Sequence, residues 1–326
     1  MITVCIPAYQ AGAFIGETVS SVLAQSFDDF RIEIAIDPSD GERDNTEAAL
    51  EPFRDDPRVT ISTNSRRLGW AGNFNALLQR VETPFYAPLP HDDLWAPDYL
   101  ATFFPLVSEH PEASVAYGDM TMFDANGYAG FRSVALPQGE DRMTHLIRFM
   151  VQGAHAMPWR GVTRQSAIAV TQGFPTDVWG GFAVEVEYAL GLLEAGPVIH
   201  VPKALYRKRV FQPQERMSAS KARTIDWAVE DRLNAWHRHC HALEVRMRRM
   251  MSTFKPTSDE VFLAELAFRA AMLMRRHSFV TPGLDKAELA SLASLRSYLP
   301  SIDHPLTPCV AEQLRWFDRT AQSRTE

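Results

Sequence analysis

The sequence predicts an α/β fold, a mostly parallel sheet flanked by helices, with an α-helical extension at the C-terminal end. Three observations carry this reading. Short apolar runs of strand character alternate with helical patterns through the first ninety or so residues, the signature of βαβ units. Each run ends in polar or turn-forming residues, which right-handed crossovers gather at one edge of a parallel sheet, where ligands of such sheets bind. Past about Ser218 the composition changes to long amphipathic helices, so the expected division is 1–218 for the sheet domain and 219–326 for the helical region.

In chain order, Ile2–Ile6 reads as the first strand and Ile15–Leu23 as the helix after it. Arg31–Ile36 is the second strand, Asn45–Phe53 is helical, Val59–Ser62 is the third strand, Asn73–Val81 is helical, and Phe85–Leu89 is a buried strand. Pro97-Asp98-Tyr99 opens a helix, because proline suits a first turn. Ala113–Met120 is a further strand, Asp124-Ala125-Asn126-Gly127 predicts a hairpin turn, and residues 128–141 read as a mobile loop of the kind that covers substrate crevices. A short helix over Thr144–Gln152 precedes Met157-Pro158-Trp159-Arg160-Gly161, a wall for an acceptor pocket. Ala183–Ala195 is a helix stopped by Gly196-Pro197, and Val198–Val201 and Leu205–Val210 read as two short last strands. In the helical region Thr257 and Glu260 predict a capping box, with breaks at Ser252–Pro256 and Thr281-Pro282-Gly283.

With 326 residues, 46% hydrophobic and 22% charged, the chain has the composition of a soluble globular protein. A formal net charge of -7 argues against nucleic acid as a partner. Cys5, Cys240 and Cys309 match neither a disulfide framework nor a zinc spacing, which points to a reducing cytoplasmic compartment. No run reaches transmembrane length. Arg246, Arg248 and Arg249 beside Met247, Met250 and Met251 leave peripheral membrane contact open, against the alternative of a methionine stripe in a core.

The richest stretch is Leu89-Pro90-His91-Asp92-Asp93-Leu94-Trp95. Two carboxylates after a buried strand suit a hard divalent cation that in turn holds a phosphate, although they also suit capping of the next helix. Tyr9 and Asp37 read together as a nucleotide-base site, the ring as a stacking face and the carboxylate as an acceptor for a base N–H, with an Asx turn as the alternative. Arg66, Arg67 and Asn73 are candidates for phosphate or sugar oxygens. Glu185 and Glu187, two apart on a helix, point to different faces, so at most one faces a site.

These residues together resemble the inverting glycosyltransferases of family 2, over roughly residues 1–215. Val4-Cys5-Ile6-Pro7-Ala8-Tyr9-Gln10 is similar to their first strand and P-x-Y turn, and Ala24-Gln25-Ser26-Phe27 to the "AQTY" after the first helix. Asp37-Pro38-Ser39-Asp40 with Asp44-Asn45-Thr46 resembles the "DDGSTDGT" loop, and Asn64 to Asn73 the "N-x-G…N" segment. His91-Asp92-Asp93-Leu94-Trp95 resembles the D-x-D-D metal motif, with Pro90 where the first aspartate is usual. Gly180-Gly181-Phe182-Ala183-Val184-Glu185 resembles "GGF" followed by the "ED" of the catalytic base. Arg209-Val210-Phe211 stands where the family often has R-x-H.

The resemblance implies a GT-A, Rossmann-like fold and transfer of a sugar from a nucleotide-diphosphate sugar to an acceptor hydroxyl. It implies Glu185 as the base, Pro7, Tyr9, Asp37, Arg67, Asn73, His91, Asp92 and Arg209 as donor contacts, and Asp92 and Asp93 as ligands of a divalent cation, Mn2+ or Mg2+. A glycan, lipid-linked or protein-linked acceptor in bacterial surface polysaccharide or glycoconjugate synthesis follows from the same likeness. The alternative is a non-catalytic module that keeps the fold and binds the nucleotide sugar.

Overall fold

The computed structural model describes residues 1–39, 44–137, 139–178, 181–211, 228–280 and 286–322. Asp40, Gly180, the expected boundary near Ala219 and the break at Thr281-Pro282-Gly283 lie outside the described residues. The chain forms two compact units, Met1–Ala135 with Ala156–Ala222, and Leu136–His155 with Arg223–Glu326.

The first unit begins with β1 (Ile2–Ala8), α1 (Ile15–Leu23), β2 (Phe30–Ile36), α2 (Thr46–Leu50), β3 (Val59–Thr63), α3 (Gly69–Leu78) and β4 (Phe85–Pro88). Every residue of β1 is buried, as a strand covered on both faces requires. It pairs in parallel with β2 on one side and β4 on the other, and β2 pairs in parallel with β3. The strand order therefore reverses at β1, and the crevice at such a reversal opens at the carboxyl ends of the strands. There follow β5 (Leu94–Trp95), α4 (Tyr99–Glu109), β6 (Val115–Asp124) and β7 (Gly127–Arg132).

In the second unit the helix α5 (Arg142–Val151) contributes its Asp141 side chain as an N-cap to Met143 N and Thr144 N. The first unit resumes with β8 (Val162–Arg164), α6 (Ala167–Thr171), α7 (Val184–Ala195) and β9 (Val198–Arg209). The complete strand path is β3-β2-β1-β4-β8-β6-β9-β5, with β7 beside β6.

Two sequence expectations need correction. Residues 128–132 are not loop: they form β7, antiparallel to β6. The strand carries exposed aromatics, Tyr128 and Phe131, so it lacks the half-buried alternation that marks a strand in sequence. The two short last strands are one, β9, because the register against β6 jumps from Gly118↔Val201 to Met120↔Tyr206 and the chain bulges past Pro202 without leaving the sheet. Gly118 sits against this bulge, where a Cβ would lie 2.5 Å from the Lys203 carbonyl oxygen.

Four helices complete the second unit: α8 (Val229–Phe254), α9 (Ser258–Phe279), α10 (Lys286–Arg296) and α11 (Thr307–Gln322). Thr257 and Glu260 make the capping box at the start of α9. Met247, Met250 and Met251 are buried.

What fixes α3 over the sheet is a buried amide. Asn73 is 1% exposed, and its Nδ2 donates to the Ala8 carbonyl at 3.3 Å and the Ala35 carbonyl at 2.9 Å, at the ends of β1 and β2. Its Oδ1 accepts from Asn64 Nδ2 at 3.0 Å. Asn73→Ala removes these three hydrogen bonds and leaves the Ala35 carbonyl without the amide donor, and is expected to lower unfolding free energy by about 1–3 kcal/mol in urea titrations. A loss below a few tenths of that range would mean water replaces the amide.

Candidate active site

A cavity of about 300 Å3 lies at the carboxyl ends of β1 and β2 against the start of α3. Pro7, Tyr9, Asp37, Arg67, Asn73 and His91 all line it, so six residues from separate parts of the chain meet as the sequence expects. Gly181, from the glycine-phenylalanine motif, lines the same cavity; its φ of +66° and the Trp70 indole nitrogen 2.5 Å from any added Cβ both require glycine.

Several of these residues are braces as much as walls. The Asp37 carboxylate accepts from Asn64 Nδ2 at 2.9 Å and from the backbone N–H groups of Leu68 and Gly69 at 3.0 and 2.8 Å. A carboxylate there satisfies the open N–H groups at the start of α3 and suits the helix dipole. Both hydrogens of the Asn73 amide are engaged by backbone carbonyls, so its contribution to the pocket is position. Arg67 stacks its guanidinium over the Tyr9 ring, 4.1 Å from the centroid, and thus covers one face of the ring expected to stack on a base.

Past β4 the acidic motif forms a turn, with Asp93 N donating to Pro90 O at 3.1 Å. Thr18 of α1 holds it from below, its hydroxyl 2.8 Å from the His91 carbonyl and 3.0 Å from that of Asp93. A polar residue on the apolar face of α1 is the one sequence signal for this role. His91 Nδ1 lies 3.1 Å from Pro7 O, which joins the turn to the end of β1. Gln25 clamps the next junction: its Nε2 donates to Ala96 O and its Oε1 accepts from Leu100 N.

The two aspartates differ in kind. Both oxygens of Asp93 are engaged from β9, Oδ2 by the Tyr206 hydroxyl at 2.6 Å and Oδ1 by Arg209 N at 2.8 Å. Burial first, and then the charge of Asp92, push the Asp93 carboxyl up to about 6. Arg209, expected at the donor, instead holds the turn, with Nε donating to Asp92 O at 3.0 Å and Nη2 paired with Glu17 at 2.5 Å.

Among the described residues no group of three or more His, Cys, Asp or Glu side chains gathers around one point. The donor set therefore fits no all-protein metal cage. Asp92 is 7% exposed in the acidic turn and does not line the cavity; a single carboxylate of this kind would suit a hard cation whose shell is completed by phosphate oxygens and water.

Glu185 lies in the first turn of α7 and is half-buried, and Glu187, two residues further on, is 6% exposed. Lys208 of β9 feels Glu185, Asp93 and Asp92 together, each favouring its charged form. The helix start thus stands in the same electrostatic neighbourhood as the acidic turn.

A raised carboxyl value has a signed consequence. Between the unfolded value near 4 and about 6, the folded chain holds a proton on Asp93 that the unfolded chain has lost, so this group's contribution to stability falls as pH rises through that window. The stability difference between Asp93→Asn and the parent should move in favour of the variant from about pH 4 to about 6 and level off above. Urea midpoints at unit pH steps would show this, and a flat difference would mean Asp93 titrates as an ordinary carboxylate.

Residues 3–159 match the family described as Glycosyl transferase family 2. The chain is 28% identical over 130 residues to the UDP-Glc:alpha-D-GlcNAc-diphosphoundecaprenol beta-1,3-glucosyltransferase WfgD of Escherichia coli, a match covering 40% of this chain and 49% of that protein. The chain thus spans about half the length of that relative. Among solved structures it is similar to S. aureus TarS 1-349 in complex with UDP-GlcNAc, with a TM-score of 0.64 at 16% identity, covering 96% of this chain and 88% of that one. The mannosyltransferase PcManGT from Pyrobaculum calidifontis in complex with GDP-Man and Mn2+ is similar at a TM-score of 0.51 and 15% identity, covering 97% and 87%. At such identities the likeness shows the fold, which is the mixed α/β architecture of GT-A glycosyltransferases.

Proposed function

The chain belongs to glycosyl transferase family 2 through residues 3–159, and on that premise we propose that it moves a sugar from a nucleoside diphosphate donor to an acceptor hydroxyl with inversion at the anomeric carbon. The observation that carries the reading is the pocket shared by Pro7, Tyr9, Asp37, Arg67 and His91, with the Asp92 turn and Glu185 on the next elements. A UDP-sugar is the preferred donor, since the E. coli relative uses UDP-Glc and TarS binds UDP-GlcNAc. The acceptor is a glycan or a lipid- or protein-linked glycan in surface polysaccharide or glycoconjugate synthesis.

Each step then has a residue. Tyr9, Arg67 and the Asp37 brace form the walls in which the nucleotide base seats. Asp92 would hold a Mn2+ or Mg2+ ion, which when bound neutralises charge on the departing diphosphate. The Glu185 carboxylate takes the proton of the acceptor hydroxyl as its oxygen attacks in line with the departing nucleoside diphosphate.

A thermal-shift screen of UDP, GDP and their sugars, with and without Mn2+, tests the reading: a ligand at a hundred times its dissociation constant adds about 2.7 kcal/mol. Absence of any nucleotide-dependent shift would sink it. Asp92→Asn should abolish the Mn2+-dependent part of the shift while leaving the melting of the free protein unchanged, because a charged oxygen becomes a neutral amide. Glu185→Gln should lower turnover roughly 10²–10⁴-fold with donor affinity within a factor of a few, as expected when only the base is lost. Full turnover in that variant would leave the inverting mechanism without its base.

A further inference from the structure

Three cations stand together in the first unit, outside the nucleotide pocket. β7, β6 and β9 lie side by side, and Met120 of β6 is in register with Arg132 on one neighbour and Tyr206 on the other. Residues directly opposite share a face, and side chains two apart along a strand return to it. Arg132, Tyr206 and Lys208 therefore project from one face. Arg160 joins them there, its guanidinium 5.5 Å from the centre of the Tyr206 ring, and its backbone carbonyl accepts from the Tyr99 hydroxyl.

The three cations lie close enough to repel one another, and Lys208 also feels the carboxylates of Asp93, Glu185 and Asp92. Among the described residues, no hydrogen bond or ion pair joins the side chains of Arg132, Arg160 or Lys208 to a partner, and the Arg160 Nε is buried with no acceptor. The charge of Arg160, then burial, holds the Lys208 ammonium below its usual value; burial, then Arg160, does the same to Arg132. Asp93, the nearest candidate to neutralise them, has both oxygens engaged by Tyr206 and Arg209. Cationic donors gathered in this way, with the Arg160 Nε buried among them, favour the arrival of an anion with several acceptor oxygens.

None of the three lines the pocket at β1, β2 and α3. Their elements are β7, β9 and the turn Met157–Arg160, and the carboxylate that acts on Lys208 from outside the acidic turn is Glu185. We propose that Arg132, Arg160 and Lys208 bind a phosphate group carried by the acceptor, so that the acceptor class is a phosphate or diphosphate ester whose anion is seated beside the base. This rests on the reading of the pocket as the nucleotide site and of Glu185 as the base. The same chemistry has a second source, the donor diphosphate, and the test separates the two.

Calorimetric titrations of the full chain carry that test. UDP is titrated first into the parent, the double variant Arg160→Gln with Lys208→Gln, and Arg132→Gln, whose exposed position on β7 leaves folding least affected. sn-Glycerol 3-phosphate, with glycerol as the neutral control, is then titrated into each protein saturated with UDP. The expected result is binding of glycerol phosphate but not glycerol to the UDP-saturated parent. That affinity should weaken about tenfold or more in the variants while UDP affinity stays within about twofold, as loss of charge-assisted hydrogen bonds predicts.

A tenfold loss of UDP affinity in the variants would assign the cations to the donor and overturn the proposal. So would failure of glycerol phosphate to bind the UDP-saturated parent, or equal binding by parent and variants. If UDP itself does not bind the parent, the nucleotide reading fails instead, and glycerol phosphate titrated into the unloaded proteins still reports whether the cations hold a phosphate. Should the double variant fail to fold, Arg132→Gln alone decides by the same comparison.

Discussion

The constraint on which the first unit depends is the short crossing from β4 to β5. These strands stand four spacings apart in the sheet order, a distance of about 19 Å in a flat sheet. Only five residues, Leu89–Asp93, join them, which reach about 20 Å if fully extended. They are not extended, because Pro90 and Asp93 close a turn. The sheet must therefore curl until its far edge approaches β1. The Asp93 carboxylate fastens that closure: buried beside a second carboxylate, it is tolerable only where Tyr206 and the Arg209 N–H supply its hydrogen bonds. Curling is what sets α7 and the cations of β7 and β9 beside a turn that is distant from them in sequence.

A second network does for the cavity at β1, β2 and α3 what Asp93 does for the turn. Asp37, Asn64 and Asn73 link the ends of β1 and β2 to the first turn of α3 through buried hydrogen bonds. Polar groups at the carboxyl ends of parallel strands thus serve twice, as matches for each other's hydrogen-bonding capacity and as the walls of the crevice. A side chain can be essential to a site of this kind without touching what binds there. Asn73 is of that type, since its amide hydrogens both point into the fold.

Much of this was legible in the sequence because it follows from periodicity and turn chemistry. α1 begins and ends where its apolar pattern does, the hairpin turn at Asp124–Gly127 is as its residues demand, and the clusters after β1, β2, β3 and β4 meet in one cavity. The start of α3 was not legible at Asn73, because the helix begins at Gly69 on N–H groups matched by a carboxylate thirty residues earlier in the chain. No local pattern records such a partner. β7 and the continuity of β9 were hidden for a related reason: pairing with β6 supplies the hydrogen bonds that decide them, and that pairing is non-local. The burial of Glu187 depends in the same way on what packs over α7.

The departure at Pro90 bears on how charge is shared in the site. A carboxylate at that position would add an oxygen donor for a cation; proline instead fixes its own φ and offers only a carbonyl, which the turn uses. With both oxygens of Asp93 engaged by β9, the motif offers a cation fewer carboxylate oxygens than two open aspartates would, and a divalent ion would be held less tightly. On the proposed function, the negative charge of a donor diphosphate would then be balanced to a greater extent by the protein. Arg67 lies over Tyr9 in the pocket itself, and its guanidinium is always charged at neutral pH. A fixed cation on the pocket wall and a rigid turn with one carboxylate are complementary: the first supplies the charge that the second lacks.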